Sequence, residues 1–368
     1  MTQTSTTHAQ VRLTDSLPDE TLLKWLHDMQ LIREFETRTM QAYQQAKIGG
    51  FCHIYSGQEA SAVGTLGCVE PDDPVVLAYR DHGHALARGM SPQACMAEMF
   101  GRIKGCAKGK GGSMHMFDKP HWLFGGHGIV GAQTPLGAGL AFGARYEWEV
   151  LGTGKKKVAL CYLGDGAVDQ GAFHEALNLA SILSLPVIYI IENNGYSMGT
   201  AIKRHTANSD HLTSRGEAYG IKSIAIDGFD ILNVHDKFKP FVDDCREMQR
   251  PGFVDFKTYR YLGHSLSDPQ KYRTREEVES YKEKDSIASL VSVLMKPKNE
   301  GGRESLTEEG WKAMRKEISN VVKEAIEYAD QAPIPEVDKE LYSDVYIHLM
   351  PQMSPAGEYV MGQKNPLL

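Results

Sequence analysis

The apolar residues of the chain follow two patterns, a helical spacing of three to four residues and short continuous runs. The helical spacing covers residues 19–47, where the apolar side chains share one face and Gly49-Gly50 ends the helix. A short helix of small residues is predicted at 58–66, and the run at 75–78 is typical of a buried strand. This part of the chain therefore predicts helices that lead into the first strand of a sheet.

From residue 158 onward, apolar runs alternate with helical segments. The predicted strands lie at 158–163, 187–191, 222–226 and 253–259, and the predicted helices at 169–183 and 231–248. This alternation is typical of an α/β fold with a doubly wound, mostly parallel sheet. A last helix is predicted at 307–330, and Pro333 and Pro335 begin an extended tail.

The chain contains no internal repeat and no low-complexity segment that would divide it. We therefore predict one α/β domain with helical N- and C-terminal extensions. The predicted boundaries are an N-terminal helical arm at 1–48, the α/β domain at 49–290, and a C-terminal helix and extended tail at 291–368 that pack on the same domain.

Residues 101–143 are rich in glycine, but large apolar side chains interrupt the glycines, which predicts an ordered loop near a ligand. Residues 126–131 match the letters G-x-G-x-x-G. No convincing strand precedes them and Pro135 follows, so a nicotinamide dinucleotide site is disfavoured. Residues 105–110 imitate a P-loop but have three residues between the glycines, where that motif has four, and this excludes a nucleoside triphosphatase.

Composition narrows the class of protein further. The 368 residues are 42% hydrophobic with a net charge of −7, which disfavours binding to nucleic acid or to an anionic membrane surface. No apolar run approaches the ~18 residues of a membrane-spanning helix. The six cysteines form no Cys-x-x-Cys pair, and the N-terminus has no signal-peptide or transit-peptide character. We expect a cytoplasmic protein.

Two polar turns follow neighbouring predicted strands. Gly164-Asp165-Gly166 follows the strand at 158–163, and Glu192-Asn193-Asn194 follows the next. Ligands of open α/β sheets lie beyond the carboxyl ends of the strands, so Asp165 and Asn194 are expected to meet there. Oxygen ligands of this kind suit Mg²⁺ bound to a diphosphate. Gly-Asp-Gly alone fits a tight turn without metal equally well, and the second turn favours the cofactor site.

The remaining chemistry points to an anionic ligand. His82, His84 and His115 lack any zinc-site spacing, and the chain has no Gly-x-Ser-x-Gly elbow. Cationic and imidazole side chains on glycine-containing loops remain, namely Arg80, Arg260, His53 and His264. With a Mg²⁺-diphosphate site, they describe a pocket for an anionic cofactor.

A series of motifs resembles one family. Gly164-Asp165-Gly166 with Asn193-Asn194 resembles the thiamine-diphosphate motif. Further blocks resemble the alpha subunits of the decarboxylating component of pyruvate dehydrogenase, and they lie at 51–60, 78–80, 108–116, 128–133 and 258–269. Because the blocks occur in family order, the series is more specific than any single motif. The resemblance implies a thiamine-diphosphate-binding fold, here its diphosphate-binding module.

The resemblance also implies roles for individual residues. Mg²⁺ would be held by Asp165, Asn194 and the carbonyl of Tyr196. The diphosphate would contact Tyr79, Arg80, Gly166 and Ala167, and the aminopyrimidine would contact backbone groups of Gly128 and Val130. Arg260 and His264 would lie on a mobile loop over the cofactor, and the catalytic histidines would be His264 and His53, the latter near the substrate carboxylate.

The implied reaction is decarboxylation of pyruvate and transfer of the acetyl group to the lipoyl arm of dihydrolipoyl acetyltransferase. The implied partner is a beta subunit, with which the chain would form an α2β2 heterotetramer. The beta subunit would supply the carboxylate that activates the aminopyrimidine, and Glu59 of this chain is therefore interpreted as structural. Alpha subunits of branched-chain 2-oxo acid and acetoin dehydrogenases share the cofactor residues, and a non-catalytic scaffold subunit is a further alternative. The blocks at 113–116 and 263–268 favour pyruvate.

Overall fold

The computed structural model describes residues 13–341, 343 and 344. The first twelve residues of the predicted arm and the predicted tail beyond 344 lie outside the described residues. In the described part of the chain, no helix is both long and apolar enough to cross a bilayer.

Six strands of the described chain form one sheet in the order β2-β1-β3-β4-β8-β7, and every neighbouring pair is parallel. Two further strands of two residues form an antiparallel hairpin. The strands are β1 (Val75–Ala78), β2 (Leu123–His127), β3 (Ala159–Gly164), β4 (Val187–Asn193), β5 (Tyr196–Ser197), β6 (Thr200–Ala201), β7 (Lys222–Asp227) and β8 (Gly252–Lys257). The predicted doubly wound α/β fold is confirmed.

Helices connect and cover the strands. They are α1 (Asp19–Gln44), α2 (Glu59–Leu66), α3 (His82–Arg88), α4 (Pro92–Met99), α5 (Gln133–Glu149), α6 (Gly171–Ile182), α7 (Ile202–His205), α8 (Ser214–Glu217), α9 (Ile231–Met248), α10 (Arg275–Lys282), α11 (Ser286–Met295), α12 (Glu308–Gln331) and α13 (Val337–Glu340). The predicted helices in α1, α2, α6, α9 and α12 are confirmed within a few residues at each end.

Alternate side chains of the central strands enter two separate cores. In β4, Ile188 and Ile190 pack into the core covered by α1–α4, α9, α11 and α12, whereas Tyr189 and Ile191 pack into the core covered by α5 and α6. This alternation follows from the two-residue period of a strand, and it places helices on both faces of the sheet. Because α1 and α12 share the first core with the strands, both ends of the described chain pack on the same sheet. The boundaries at 48 and 290 stay predictions.

The strand order reverses direction at β1. The chain runs from β1 to β2 on one side and then returns to β3 on the other side. Such a reversal leaves a crevice at the carboxyl ends of the two strands, where open α/β sheets bind ligands. Residues after Ala78 and Gly164 therefore border the expected binding site.

The prediction that 101–143 is one long loop is wrong. Strand β2 begins at Leu123 and helix α5 begins at Gln133. The G-x-G-x-x-G segment at 126–131 therefore does start at the end of a strand and precede a helix, although the sequence predicted neither element. The strand was hidden because Gly125 and Gly126 replace the branched residues typical of strands. The remaining segment, 101–122, is an irregular loop with short 3-10 turns.

The ordered part of this segment is organised by one buried carboxylate, that of Glu98 in α4. It accepts hydrogen bonds from the backbone N–H groups of Ala107 (2.7 Å), Gly109 (2.9 Å), Gly111 (2.7 Å) and Gly112 (3.1 Å). A Cβ at Gly111 would lie 2.8 Å from Cβ of His115, so the turn requires glycine there. The Glu98 carboxylate thus explains why this glycine-rich segment is ordered.

Replacing Glu98 by alanine should lower the free energy of unfolding by about 3 kcal/mol, since several charge-assisted hydrogen bonds to N–H groups are lost together. Urea unfolding of both proteins measures the change. Glu98→Gln, which keeps an acceptor oxygen but no charge, should fall between them. An alanine variant as stable as the parent chain would contradict the organising role.

Candidate functional site

A cavity of about 720 Å³ opens at the carboxyl ends of the central strands. All twelve residues predicted for the site line it, and they arrive from the ends of β1, β2, β3, β4 and β8 and from the segment before α2. They are His53, Tyr79, Arg80, Gly128, Val130, Asp165, Gly166, Ala167, Asn194, Tyr196, Arg260 and His264. The structure therefore brings the complete predicted set together.

Three oxygen-bearing groups lie on one side of this cavity. Asp165 follows β3 and is 1% exposed, and its Oδ2 has no hydrogen-bond partner among the described residues. Burial raises the pKa of Asp165 to about 6, so a cation beside it would stabilise the charged form. The amide Oδ1 of Asn194 and the carbonyl of Tyr196 both accept hydrogen bonds from Nη1 of Arg260, at 3.4 and 3.3 Å.

These groups fit a hard divalent cation. All three groups would bind a metal through oxygen, and one is a carboxylate with an unpartnered buried oxygen. Three protein ligands do not complete the coordination of Mg²⁺, which leaves positions for phosphate and water. No cluster of three or more His, Cys, Asp or Glu side chains suited to a metal occurs among the described residues. The predicted set contains a single side chain of those types, so the two findings are compatible.

Two buried arginines place positive charge in the same cavity. Arg80 donates to the carbonyls of Ile54 (2.7 Å) and His264 (2.8 Å), and Arg260 donates to Tyr272 Oη (2.8 Å) and to the carbonyl of Met198. Burial, together with the charge of Arg260, lowers the pKa of Arg80 to about 10. Within the described residues, neither guanidinium forms an ion pair with a carboxylate, so an anionic ligand would relieve their repulsion.

Two histidines and a tyrosine form an aromatic cluster beside Arg80. The ring centroid of His53 lies 5.0 Å from that of His264 and 4.7 Å from that of Tyr79. Burial, with the charges of Arg80 and His264, lowers the pKa of His53 to about 2, and burial with Arg80 lowers the pKa of His264 to about 4. Both imidazoles are therefore neutral at pH 7 when no anion is bound. Within residues 13–341, 343 and 344, Nδ1 of His53 has no hydrogen-bond partner.

The pH dependence of stability should carry the signature of His53. Between its ordinary pKa of 6.5 and about 2, the unfolded chain binds a proton on His53 that the folded chain does not bind. Stability is therefore lost as the pH falls below 6.5. Relative to His53→Gln, the parent chain should lose about 2 kcal/mol between pH 6.5 and 4.5, because each pH unit costs up to ~1.4 kcal/mol per proton. Urea unfolding at both pH values measures the difference, and parallel profiles would contradict it.

Small residues shape the rest of the wall. A Cβ at Gly166 would lie 2.3 Å from Oγ of Ser197, so the turn after β3 can approach the β5–β6 hairpin only with glycine at this position. Ala167 follows in the same 3-10 turn. Gly128 and Val130 lie on the turn between β2 and α5, and Val130 is 42% exposed.

The segment at 260–270 is anchored more firmly than its few apolar residues indicate. The guanidinium of Arg273 donates to the carbonyls of Arg260 (2.8 Å) and Leu262 (2.6 Å). The carboxylate of Asp268 accepts from the backbone N–H of His264 (2.7 Å) and of Gln270 (2.8 Å). These hydrogen bonds are made by polar side chains, and a pattern of hydrophobic residues cannot predict them. Ordering of the segment by cofactor stays a prediction.

Among the ionisable groups of the cavity that sequence reasoning did not assign to the site, Glu192 is the most deeply buried. It is 6% exposed at the end of β4, accepts from Ser61 Oγ (2.9 Å) and from Tyr55 Oη, and lies 3.2 Å from Nε2 of His84. These contacts lower its pKa against the effect of burial, because His84 and two hydroxyl groups stabilise the carboxylate. Its position directly before Asn193-Asn194 was the available signal.

Glu59 lies outside the residues that line the cavity. Its carboxylate is buried, pairs with Nε of Arg33 and accepts from the backbone N–H of Gly57 at 2.9 Å. The guanidinium of Arg33 also contacts Asp285 at 2.9 Å. These partners tie α1 to α2 and to the start of α11, which is a structural role.

The similarity of this chain to known proteins extends over most of its length. The sequence profile of the family described as "Dehydrogenase E1 component" matches residues 27–338. A pyruvate dehydrogenase E1 component subunit alpha from Rickettsia typhi is 44% identical over 328 residues, which cover 89% of this chain and 96% of the relative. Proteins of the same name from Rhizobium meliloti (88% and 90% covered) and Zymomonas mobilis (89% and 89%) are also 44% identical.

Proposed function

The chain belongs to the dehydrogenase E1 component family, and we propose that it is the alpha subunit of a pyruvate dehydrogenase. In that role it would use thiamine diphosphate to decarboxylate pyruvate and would pass the acetyl group to a lipoyl arm. The family depends on thiamine diphosphate. The observation that carries the proposal is the convergence of all twelve predicted residues on one cavity at the switch point of the sheet.

Thiamine diphosphate supplies the electron sink that decarboxylation of a 2-oxo acid requires, so the protein contributes binding, orientation and electrostatics. We propose that Asp165, Asn194 and the Tyr196 carbonyl hold Mg²⁺. The unpartnered Oδ2 of Asp165 supports this assignment, because a buried carboxylate oxygen without a donor is stabilised by a cation.

The diphosphate would lie against the cationic side of the cavity. Arg80 supplies an unpaired charge there, and Tyr79 supplies a neighbouring hydroxyl group. Gly166 and Ala167 form the turn after β3, where the absence of a large side chain leaves room for phosphate oxygens. Backbone groups of Gly128 and Val130, which also line the cavity, would meet the aminopyrimidine.

His53 and His264 would bind the substrate and move protons. A neutral imidazole can accept a proton or donate one hydrogen bond, and both rings are neutral in this cavity. An anionic cofactor and a substrate carboxylate would raise both pKa values towards neutrality, where proton transfer is most efficient. The unpartnered Nδ1 of His53 is the atom available for the substrate carboxylate.

Replacing His264 by alanine should leave the affinity for thiamine diphosphate within about threefold and lower kcat by about 100-fold or more, the usual size of general acid–base contributions. Calorimetry and steady-state rates separate the two effects. His174→Ala is the matched control, because His174 contacts Tyr219 outside the cavity and its loss should not change the rate. A fully active His264 variant would contradict the catalytic role.

We propose that the chain assembles with a beta subunit as an α2β2 heterotetramer and docks on a lipoyl-bearing dihydrolipoyl acetyltransferase. An exposed apolar surface on α5 and α6 supports an extensive partner contact. Its members are Leu136, Phe142, Tyr146, Leu179, Ile182 and Leu183, and each is between 45% and 70% exposed. A cytoplasmic location is also proposed, and the free state of all six cysteines supports a reducing compartment.

The substrate and the role can be tested together. Full-length chain with its beta subunit, thiamine diphosphate and Mg²⁺ should turn over pyruvate at least tenfold more efficiently than 2-oxoisovalerate or acetoin. Preference for 2-oxoisovalerate or acetoin would assign the chain to the branched-chain or acetoin enzymes instead. Cofactor-independent background with all three compounds would favour the non-catalytic scaffold.

A further inference from the structure

Arg260 is the most completely enclosed cation in the cavity. Its side chain is 1% exposed and packs against the Tyr196 and Tyr272 rings, which contact each other, at 5.9 and 5.7 Å from their centroids. One amino group, Nη2, is held by Tyr272 Oη and the carbonyl of Met198. The other, Nη1, donates only to Asn194 Oδ1 and to the Tyr196 carbonyl among the described residues.

Those two oxygens are two of the three atoms assigned above to Mg²⁺. A guanidinium therefore occupies the position on these oxygens that the proposed metal requires. The contacts of Nη1, at 3.4 and 3.3 Å, are longer than the usual 2.7–3.2 Å of N–H···O hydrogen bonds, and Nε has no partner in the part of the chain that the structure describes. The guanidinium therefore satisfies these two oxygens as hydrogen-bond acceptors without binding them tightly.

We propose that Arg260 is a resident cation that holds the Asn194 and Tyr196 oxygens in the metal-free chain and must release them when Mg²⁺ binds. The inference rests on the proposed function. Mg²⁺ alone would compete with a guanidinium for the same acceptors, whereas Mg²⁺ with the diphosphate would offer the displaced guanidinium a phosphate group as its new partner. The exchange makes metal binding depend on the diphosphate and disfavours binding of the bare ion.

The test measures the affinity for a metal ion in the absence of thiamine diphosphate, so it does not depend on catalysis. Binding of Mn²⁺ to the full-length chain, followed by the electron paramagnetic resonance of free Mn²⁺, should be at least about threefold tighter in Arg260→Met than in the parent chain. Adding Asp165→Asn to that variant should remove the gain. Arg260→Lys serves as the second variant if the methionine variant does not fold. Its single ammonium group keeps the charge but cannot contact both metal oxygens and the Met198 carbonyl together. This variant should therefore also bind Mn²⁺ more tightly than the parent chain.

Arg80→Met is the matched control, because it removes the same charge from the same cavity without touching the metal oxygens. If Arg80→Met tightens Mn²⁺ binding as much as Arg260→Met does, general repulsion is the cause and the inference is overturned. It is also overturned if Arg260→Met binds Mn²⁺ no better than the parent chain while Asp165 remains necessary for Mn²⁺ binding with thiamine diphosphate. If Asp165→Asn has no effect even with the cofactor, the proposed metal site itself fails.

Discussion

Replacing Asp165 by alanine should weaken binding of thiamine diphosphate with Mg²⁺ by at least about 100-fold, or roughly 2.7 kcal/mol, while the chain stays folded. Asp165 provides the only full negative charge in the proposed metal shell, so its loss leaves Mg²⁺ with two neutral oxygens. Folding should not suffer, because the carboxylate is buried with an unpartnered oxygen and its pKa is raised to about 6. Calorimetric titration of the cofactor with Mg²⁺ measures the affinity, and urea unfolding measures the stability.

Asp169 offers a control on the same 3-10 turn. Its carboxylate pairs with Arg215 at 3.0 Å and accepts from Thr206 Oγ1 at 2.7 Å, and it does not line the cavity. Asp169→Asn should therefore change the stability more than the cofactor affinity. A folded Asp165→Ala protein with unchanged affinity would remove Asp165 from the metal shell.

The purified chain alone should turn over no pyruvate until the beta subunit is added. Thiamine-diphosphate chemistry needs a carboxylate to activate the aminopyrimidine, and the implied source of that group is the partner. Among the described residues, three carboxylates line the cavity, those of Asp165, Glu192 and Asp268. Glu192 is already engaged by Tyr55, Ser61 and His84, and Asp268 by backbone N–H groups of its own segment. Acetyl-transfer rates with the alpha chain, the beta chain and their mixture measure the dependence, and only the mixture should be active.

Robust decarboxylation by the chain alone would contradict the divided site. Glu59 would then have to be reconsidered as the activating acid, although its carboxylate is buried against Arg33 outside the cavity. Glu59→Gln distinguishes the two cases, since a structural glutamate should change stability, whereas an activating glutamate should change kcat in a folded protein.

The parts of the fold that follow a simple apolar period were predictable. The apolar run of β4 and the apolar face of α9 are continuous enough to identify a strand and a helix. The ends of β3 and β4 then located Asp165 and Asn194 in the cavity. The roles of the site residues came from resemblance, because a period does not distinguish a ligand from a surface charge. Arg260 illustrates this limit, as its present partners, Tyr272 and Met198, come from two separate segments.

Helix α5 was missed for a physical reason. Its sequence contains Gly137, Gly139, Gly143 and Pro135, all of which lower helix propensity. A Cβ at Gly137 would lie 2.7 Å from Cβ of Cys161, so this glycine allows the helix to approach β3 closely. Packing against the sheet outweighs the lost propensity, and local sequence preference cannot report a contact with a strand more than twenty residues away.

The amide groups around Glu98 have a consequence for the affinity of the whole cavity. They form an anion cradle like that of a phosphate-binding loop, but the anion is a side chain of the same chain and cannot dissociate. The conformational entropy of the segment is therefore lost during folding, before any ligand arrives. Met114, which follows the cradle and lines the cavity, is held on the same fixed wall. A ligand that reaches this wall meets a preorganised surface, so none of its binding energy is consumed in ordering the glycines.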